Sequence, residues 1–168
     1  MHKILKLNPQ FAVTGALGPG DLTAAARSGF RAVLSNLPDG ELPSAPVSSL
    51  ERELAQRAGL GFCYLPIPKG EIGWALLAEQ MLQALGQLPS PVLAHCASGQ
   101  RSALAWAAAA AACHPVDRVL ALLSEAGFNF WPLSAELAGL AGLAGSRPIP
   151  AALDLPRPSH DSPRLGQS

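Results

Sequence analysis

The stretch His95-Cys-Ala-Ser-Gly-Gln-Arg-Ser102 sets a cysteine ahead of an arginine and a hydroxyl residue, an order suited to nucleophilic chemistry on an anionic group. The apolar run Pro91-Val-Leu-Ala94 leads in as a strand, and a helix-forming run from about Arg101 to Ala112 leads out. Cys96 is thereby raised to the rim of a sheet. The free N–H groups and dipole of the following helix point back at it. Gly99 lets the backbone turn tightly, so that the loop of Ala97, Ser98, Gly99 and Gln100 forms a nest for an anion. Such a field favours the thiolate, which is the nucleophilic form of cysteine. Arg101 offers a planar fork to an oxyanion or to a bound sulfur-containing group. Ser102 is expected to hydrogen-bond Cys96 or assist its departure, and His95, facing away from Cys96, to hold loop carbonyls in place.

Two carboxylates fall on neighbouring loops. Asp39 lies on the turn Asn36-Leu-Pro-Asp-Gly-Glu41, and Glu71 ends the loop Ile67-Pro-Lys-Gly-Glu71. Each has a structural alternative to proton donation. Asp39 can cap its own turn, and Glu71 can be a first-turn helix acid. Asn36 is expected to support the site from the same turn. Cys63 alternates with apolar neighbours and reads as core, and Cys113 ends a helix.

The elements that must hold these residues alternate along the chain. Strands are expected at Phe11 to Thr14, Phe30 to Leu34, Leu60 to Ile67 and Pro91 to Ala94. Helices are expected at Leu22 to Arg27, from Ser48 or Ser49 to Ala58, Ile72 to Leu85, Arg101 to Ala112 and Val116 to Ala126, with a last weak one from Leu133 to about Leu143. Alternation of this kind predicts a three-layer α/β fold, a mostly parallel sheet flanked by helices. Ligands of such sheets collect beyond the carboxyl ends of the strands, which is where all three loops fall. Residues 1–145 read as one α/β domain and 146–168, rich in Pro and polar residues, as a disordered tail.

Twelve Lys and Arg balance twelve Asp and Glu, so neither nucleic acid nor an anionic membrane is an expected partner. Three cysteines without a CxxC pair suggest neither a disulfide framework nor a metal site, and no cofactor is called for. The longest apolar stretch, Ser102 to Cys113, is far short of the ~20 residues that span a bilayer. No signal-peptide pattern opens the chain, so a reducing cytoplasm is the expected location and a free thiol can persist there.

The His-Cys strand end closed by Arg and Ser resembles the cysteine-phosphatase superfamily. More closely, the chain resembles the phosphatase-like domain of the beta-lactamase hydrolase-like protein family, a bacterial group also described as sulfur transferases. The resemblance rests on Val13-Thr-Gly15 with Asp21-Leu22, on Gly29-Phe-Arg-Ala-Val33 and on Asn36-Leu-Pro-Asp-Gly-Glu41. It continues through Tyr64 to Pro68 and ends with Ala94-His-Cys-Ala-Ser-Gly-Gln-Arg-Ser-Ala103, covering roughly residues 11–112. It implies a cysteine-phosphatase-like fold with Cys96 as the working group. The superfamily usually has one residue more between cysteine and arginine, and it usually carries an Asp on the loop that here ends in Glu71. A shorter loop encloses less space and suits a persulfide, so sulfur transfer through Cys96 with a persulfide donor and acceptor is the leading expectation. Hydrolysis of a phosphorylated substrate through a Cys96 phosphoenzyme, with Asp39 or Glu71 as acid, is the alternative. An oxyanion or persulfide sensor without turnover is a third.

Overall fold

A computed structural model describes residues 1–157. Five short strands, β1 (Leu5–Asn8), β2 (Phe11–Thr14), β3 (Ala32–Ser35), β4 (Gly61–Tyr64) and β5 (Val92–His95), form one sheet in the order β1-β2-β5-β3-β4. β1 runs antiparallel to β2, and every other pairing is parallel. The helices are α1 (Pro19–Arg27), α2 (Ser48–Arg57), α3 (Trp74–Gln87), α4 (Gln100–Ala111), α5 (Val116–Glu125) and α6 (Ser134–Ala138). The mostly parallel α/β architecture is as expected. Among the described residues no helix is long and apolar enough to cross a membrane.

Side-chain alternation sorts the layers. Phe11, Val13, Ala32, Leu34, Val92 and Ala94 face one side, where α3, α4 and α5 close the larger core. Ala12, Val33 and Leu93 face the other, covered by Leu22 and Ala25 of α1 and Ala55 of α2. The same alternation continues past the sheet. It directs His95 toward the α1 and α2 face, opposite to Ala94 and Cys96. Along α4, Ala105 and Ala107 to Ala110 are fully buried, and their small side chains allow the helix to lie close between α3 and the sheet.

Three expectations fail. The strand β1 is absent from the sequence reading because Leu5-Lys-Leu-Asn8 has only two apolar residues to show, and its pairing is supplied by β2 across a tight turn. The strand expected over 60–67 stops at Tyr64, where Pro66 and Pro68 remove the donors a ladder requires. Helix α3 starts at Trp74, so Glu71 lies on a loop and is no first-turn acid.

The tail expected from Ser146 is also corrected as far as residue 157; residues 158–168 lie outside the described residues. Ala152 and Leu153 are fully buried. The Trp106 indole donates to Ala152 O at 2.8 Å, and the Asn8 amide donates to Ala152 O at 3.0 Å and Asp154 O at 2.8 Å. His114 Nε2 bonds Leu153 O at 2.8 Å. A proline-rich composition thus forms a strap whose carbonyls are satisfied by side chains from β1, α4 and the turn after α4. Leu153→Ala is expected to destabilise the protein by about 2–4 kcal/mol, by loss of burial and a residual cavity. Urea denaturation measures this, and a free energy unchanged within error would show that the strap does not close the core.

Candidate active site

Parallel register brings Thr14, His95, Ser35 and Tyr64 abreast at the carboxyl rim, with β5 at the centre of the sheet. Cys96 follows β5 directly. Its Sγ accepts a hydrogen bond from Gly99 N–H at 3.1 Å, so the loop folds back upon the sulfur. Gly99 has φ +91°, a conformation that favours glycine, and a side chain there would meet Thr14 main-chain atoms at 3.3 Å. Gly99→Ala is therefore expected to misplace the loop and lower any Cys96-dependent turnover by about a hundredfold, the scale of a one-ångström misplacement. Steady-state kinetics of the folded variant checks this, and activity within twofold of the parent would remove Gly99 from the account.

The loop rests against the segment that follows β2, where Ala16 N–H reaches Ala97 O at 3.4 Å. Helix α4 begins at Gln100, and its first-turn N–H groups precede any intrahelical acceptor. Ser98 and Gln100 are exposed, whereas Cys96 is fully buried. Cys96 is thus at the rim of the sheet but under cover.

The turn Asn36 to Glu41 braces this loop at three separate points. Asn36 N–H donates to His95 O at 2.8 Å, its side chain accepts from Ser102 Oγ at 2.8 Å, and its amide donates to Leu65 O at 2.9 Å. Asp39 accepts from Ser48 N and Ser48 Oγ, both at 2.7 Å, and so caps the start of α2. Glu41 takes Arg101 in a two-pronged ion pair, with Nη1 on Oε2 at 3.0 Å and Nη2 on Oε1. A further hydrogen of Nη1 goes to Ile67 O at 2.6 Å. The Arg101 guanidinium holds the Glu41 carboxyl below the usual carboxylate range, against some desolvation and with help from nearby Lys69. Hydrogen bonding to Glu41 in turn raises Arg101. Because the folded-state value of Glu41 is lowered, the pair's contribution is present above the ordinary glutamate range and is lost only as pH falls through the lowered value.

Several expected roles change accordingly. Both Asp39 oxygens are engaged by Ser48 at an exposed helix start, so Asp39 caps α2 and not its own turn. The Ser102 hydroxyl gives its hydrogen to Asn36 and not to Cys96. His95 holds no loop carbonyl: its Nε2 lies 2.5 Å from Glu51 Oε1, and both side chains are buried. Glu71 is exposed on the loop whose Ile67 end is tied to Arg101. Burial pushes the thiols of Cys63 and Cys113 up, in keeping with their reading as packing residues.

Glu41 and Glu51 were not among the expected site residues. Glu41 closes the quoted turn motif, but nothing local points from it to Arg101. Glu51 did leave a signal. It falls in helical register with Leu54, Ala55 and Ala58, so a charge sits on the apolar face of α2.

Comparison with known proteins bears on this arrangement. The profile of the family described as beta-lactamase hydrolase-like protein, phosphatase-like domain, matches residues 3–113. The chain belongs to this family. A beta-lactamase hydrolase-like protein of Xylella fastidiosa (strain Temecula1) is 31% identical over 105 residues, which is 62% of this chain and 24% of the relative. The chain thus spans about a quarter of the length of the curated relatives it matches. Among solved structures, a candidate phosphatase of Neisseria meningitidis z2491 (nma1982) is 30% identical with a TM-score of 0.68, covering 82% of this chain and 97% of that one. The kinase associated phosphatase, solved with its catalytic site cysteine replaced by serine, shares the fold at 18% identity. Its TM-score is 0.60, with coverage of 88% and 97%. The fold of this chain is that of cysteine phosphatases.

Proposed function

We propose that this protein is a cysteine-dependent phosphatase acting on phosphoric monoesters. The observation that carries the reading is the way Arg101 is held. Glu41 occupies the end-on Nη1–Nη2 edge of the guanidinium and Ile67 O the second Nη1 hydrogen, and among the described residues Nε and the second Nη2 hydrogen have no partner. A fixed guanidinium with one free two-donor edge suits two oxygens of a phosphoryl group. The family and the phosphatases it resembles in fold support the same reading.

In this mechanism Cys96 Sγ, as thiolate, attacks phosphorus while the ester oxygen departs. Arg101 and the first-turn N–H groups of α4 gather the phosphoryl oxygens, whose negative charge they stabilise. Water then cleaves the S–P bond, freeing inorganic phosphate and regenerating the thiolate. With Asp39 engaged by Ser48, Glu71 is the remaining candidate for the proton that an alkoxide leaving group requires. An aryl leaving group with a stable phenolate needs that proton less, so an activated aryl phosphate is the first substrate to offer.

One feature favours sulfur transfer as a second reading: only four residues separate Cys96 from Arg101, which suits a persulfide. Mass spectrometry of the intact protein separates the two. The reduced chain is treated with an aryl phosphate or with a sulfane-sulfur donor, beside a Cys96→Ser control. Phenol release with a transient phosphoryl adduct at Cys96 supports the phosphatase. A lasting gain of sulfur at Cys96 with no phenol release overturns it in favour of sulfur transfer.

A further inference from the structure

Glu51 and His95 are buried ionisable groups that the phosphatase mechanism leaves unused. Their side chains are 3% and 1% exposed, and Oε1 lies 2.5 Å from Nε2. His95 Nδ1 is buried without a hydrogen-bond partner, so among the described residues Glu51 is the imidazole's only polar anchor. A carboxylate is retained in such a place only when its partner offsets the desolvation, and this one sits against the residue that precedes the nucleophile. The anchor is itself anchored. Glu51 lies in the first turn of α2, whose start is tied by Ser48 to Asp39 on the turn that also holds Arg101 through Glu41.

We propose that Glu51 is a positioning residue for the reaction at Cys96 and acts through the His95 imidazole. This rests on Cys96 being the reactive group. The pair fixes the ring on the α1 and α2 face of the sheet, while Asn36 N–H fixes the His95 carbonyl. Together they hold the peptide that joins His95 to Cys96, and hence the place of Sγ beneath the Gly99 N–H. Glu51 touches no substrate in this scheme. Its loss should slow the chemical step and leave substrate binding by Arg101 and the α4 N–H groups largely intact.

Glu51→Gln keeps an acceptor at the same reach and removes the charge. It is expected to lower kcat on an aryl phosphate about tenfold while KM stays within about twofold, a partial misplacement of the nucleophile. The rate of Cys96 alkylation by iodoacetamide, read by peptide mass mapping, should fall to a similar extent. In a double-mutant cycle with His95→Asn the two changes should be strongly non-additive, since both break one pair. Unchanged kcat and alkylation rates, a rise confined to KM, or simple additivity would each overturn the proposal. If Glu51→Gln does not fold, Glu51→Asp, which shortens the reach and keeps the charge, carries the same expectations. If the parent chain fails to hydrolyse phosphate esters the phosphatase reading falls, but the alkylation rates and their cycle still decide the role of Glu51.

Discussion

Cys96→Ser is expected to reduce turnover of an aryl phosphate at least about a thousandfold while leaving the fold intact, as removal of a covalent nucleophile does elsewhere. The substitution exchanges sulfur for a smaller oxygen in a site with no exposed surface, and a serine oxygen can still accept from the Gly99 N–H that now reaches Sγ at 3.1 Å. Neither packing nor the loop's hydrogen bond is therefore at stake. What changes is the nucleophile: near neutrality a serine hydroxyl keeps its proton, and among the described residues no side-chain base is hydrogen-bonded to Sγ to take it. Steady-state kinetics, with circular dichroism to confirm folding, provides the check. Residual activity above a few per cent would mean that Cys96 does not form the bond to phosphorus, and the phosphatase mechanism would fail with it.

Arg101→Lys is expected to lower kcat/KM by about 10²–10³-fold, the scale of losing an oriented donor to developing negative charge. Charge is conserved, so the loss measures geometry. The guanidinium satisfies Glu41 and Ile67 O and keeps Nε and one Nη2 hydrogen without a partner among the described residues. An ammonium has one nitrogen and cannot serve both faces at once. Drawn to Glu41, it leaves the phosphoryl oxygens without their fork; drawn to the substrate, it leaves Glu41 half-buried and unpaired. The fall should appear in kcat as well as KM, because these bonds tighten as charge develops on the transferring group. A change confined to KM and below tenfold would show that Arg101 contributes only its charge.

These two residues were legible in the sequence because their signals are local. A short apolar strand, a cysteine, a glycine and a helix start fall within a dozen residues, and periods of 2 and 3.6 reveal the strands and helices around them. The mostly parallel sheet follows from strand–helix alternation by the same local reasoning. The Asn36 to Glu41 turn was likewise visible as a motif. Its work was not, since Asn36, Asp39 and Glu41 each reach a different segment.

The tertiary structure decided the partners. Glu41 meets Arg101 across 60 positions and Glu51 meets His95 across 44, and no spacing rule joins residues so far apart. The engagement of Asp39 has the same origin, because Ser48 becomes its neighbour only when the turn folds over the start of α2. So do the edge strand β1, which exists only against β2, and the strap around Leu153, which Trp106 and Asn8 hold in place. The sequence by itself determined the candidate nucleophile, its loop and the order of elements, because these depend on backbone conformation and side-chain period over a few residues. Only the folded chain decided which charge holds which, because such pairing depends on burial and on distances that close when the layers pack.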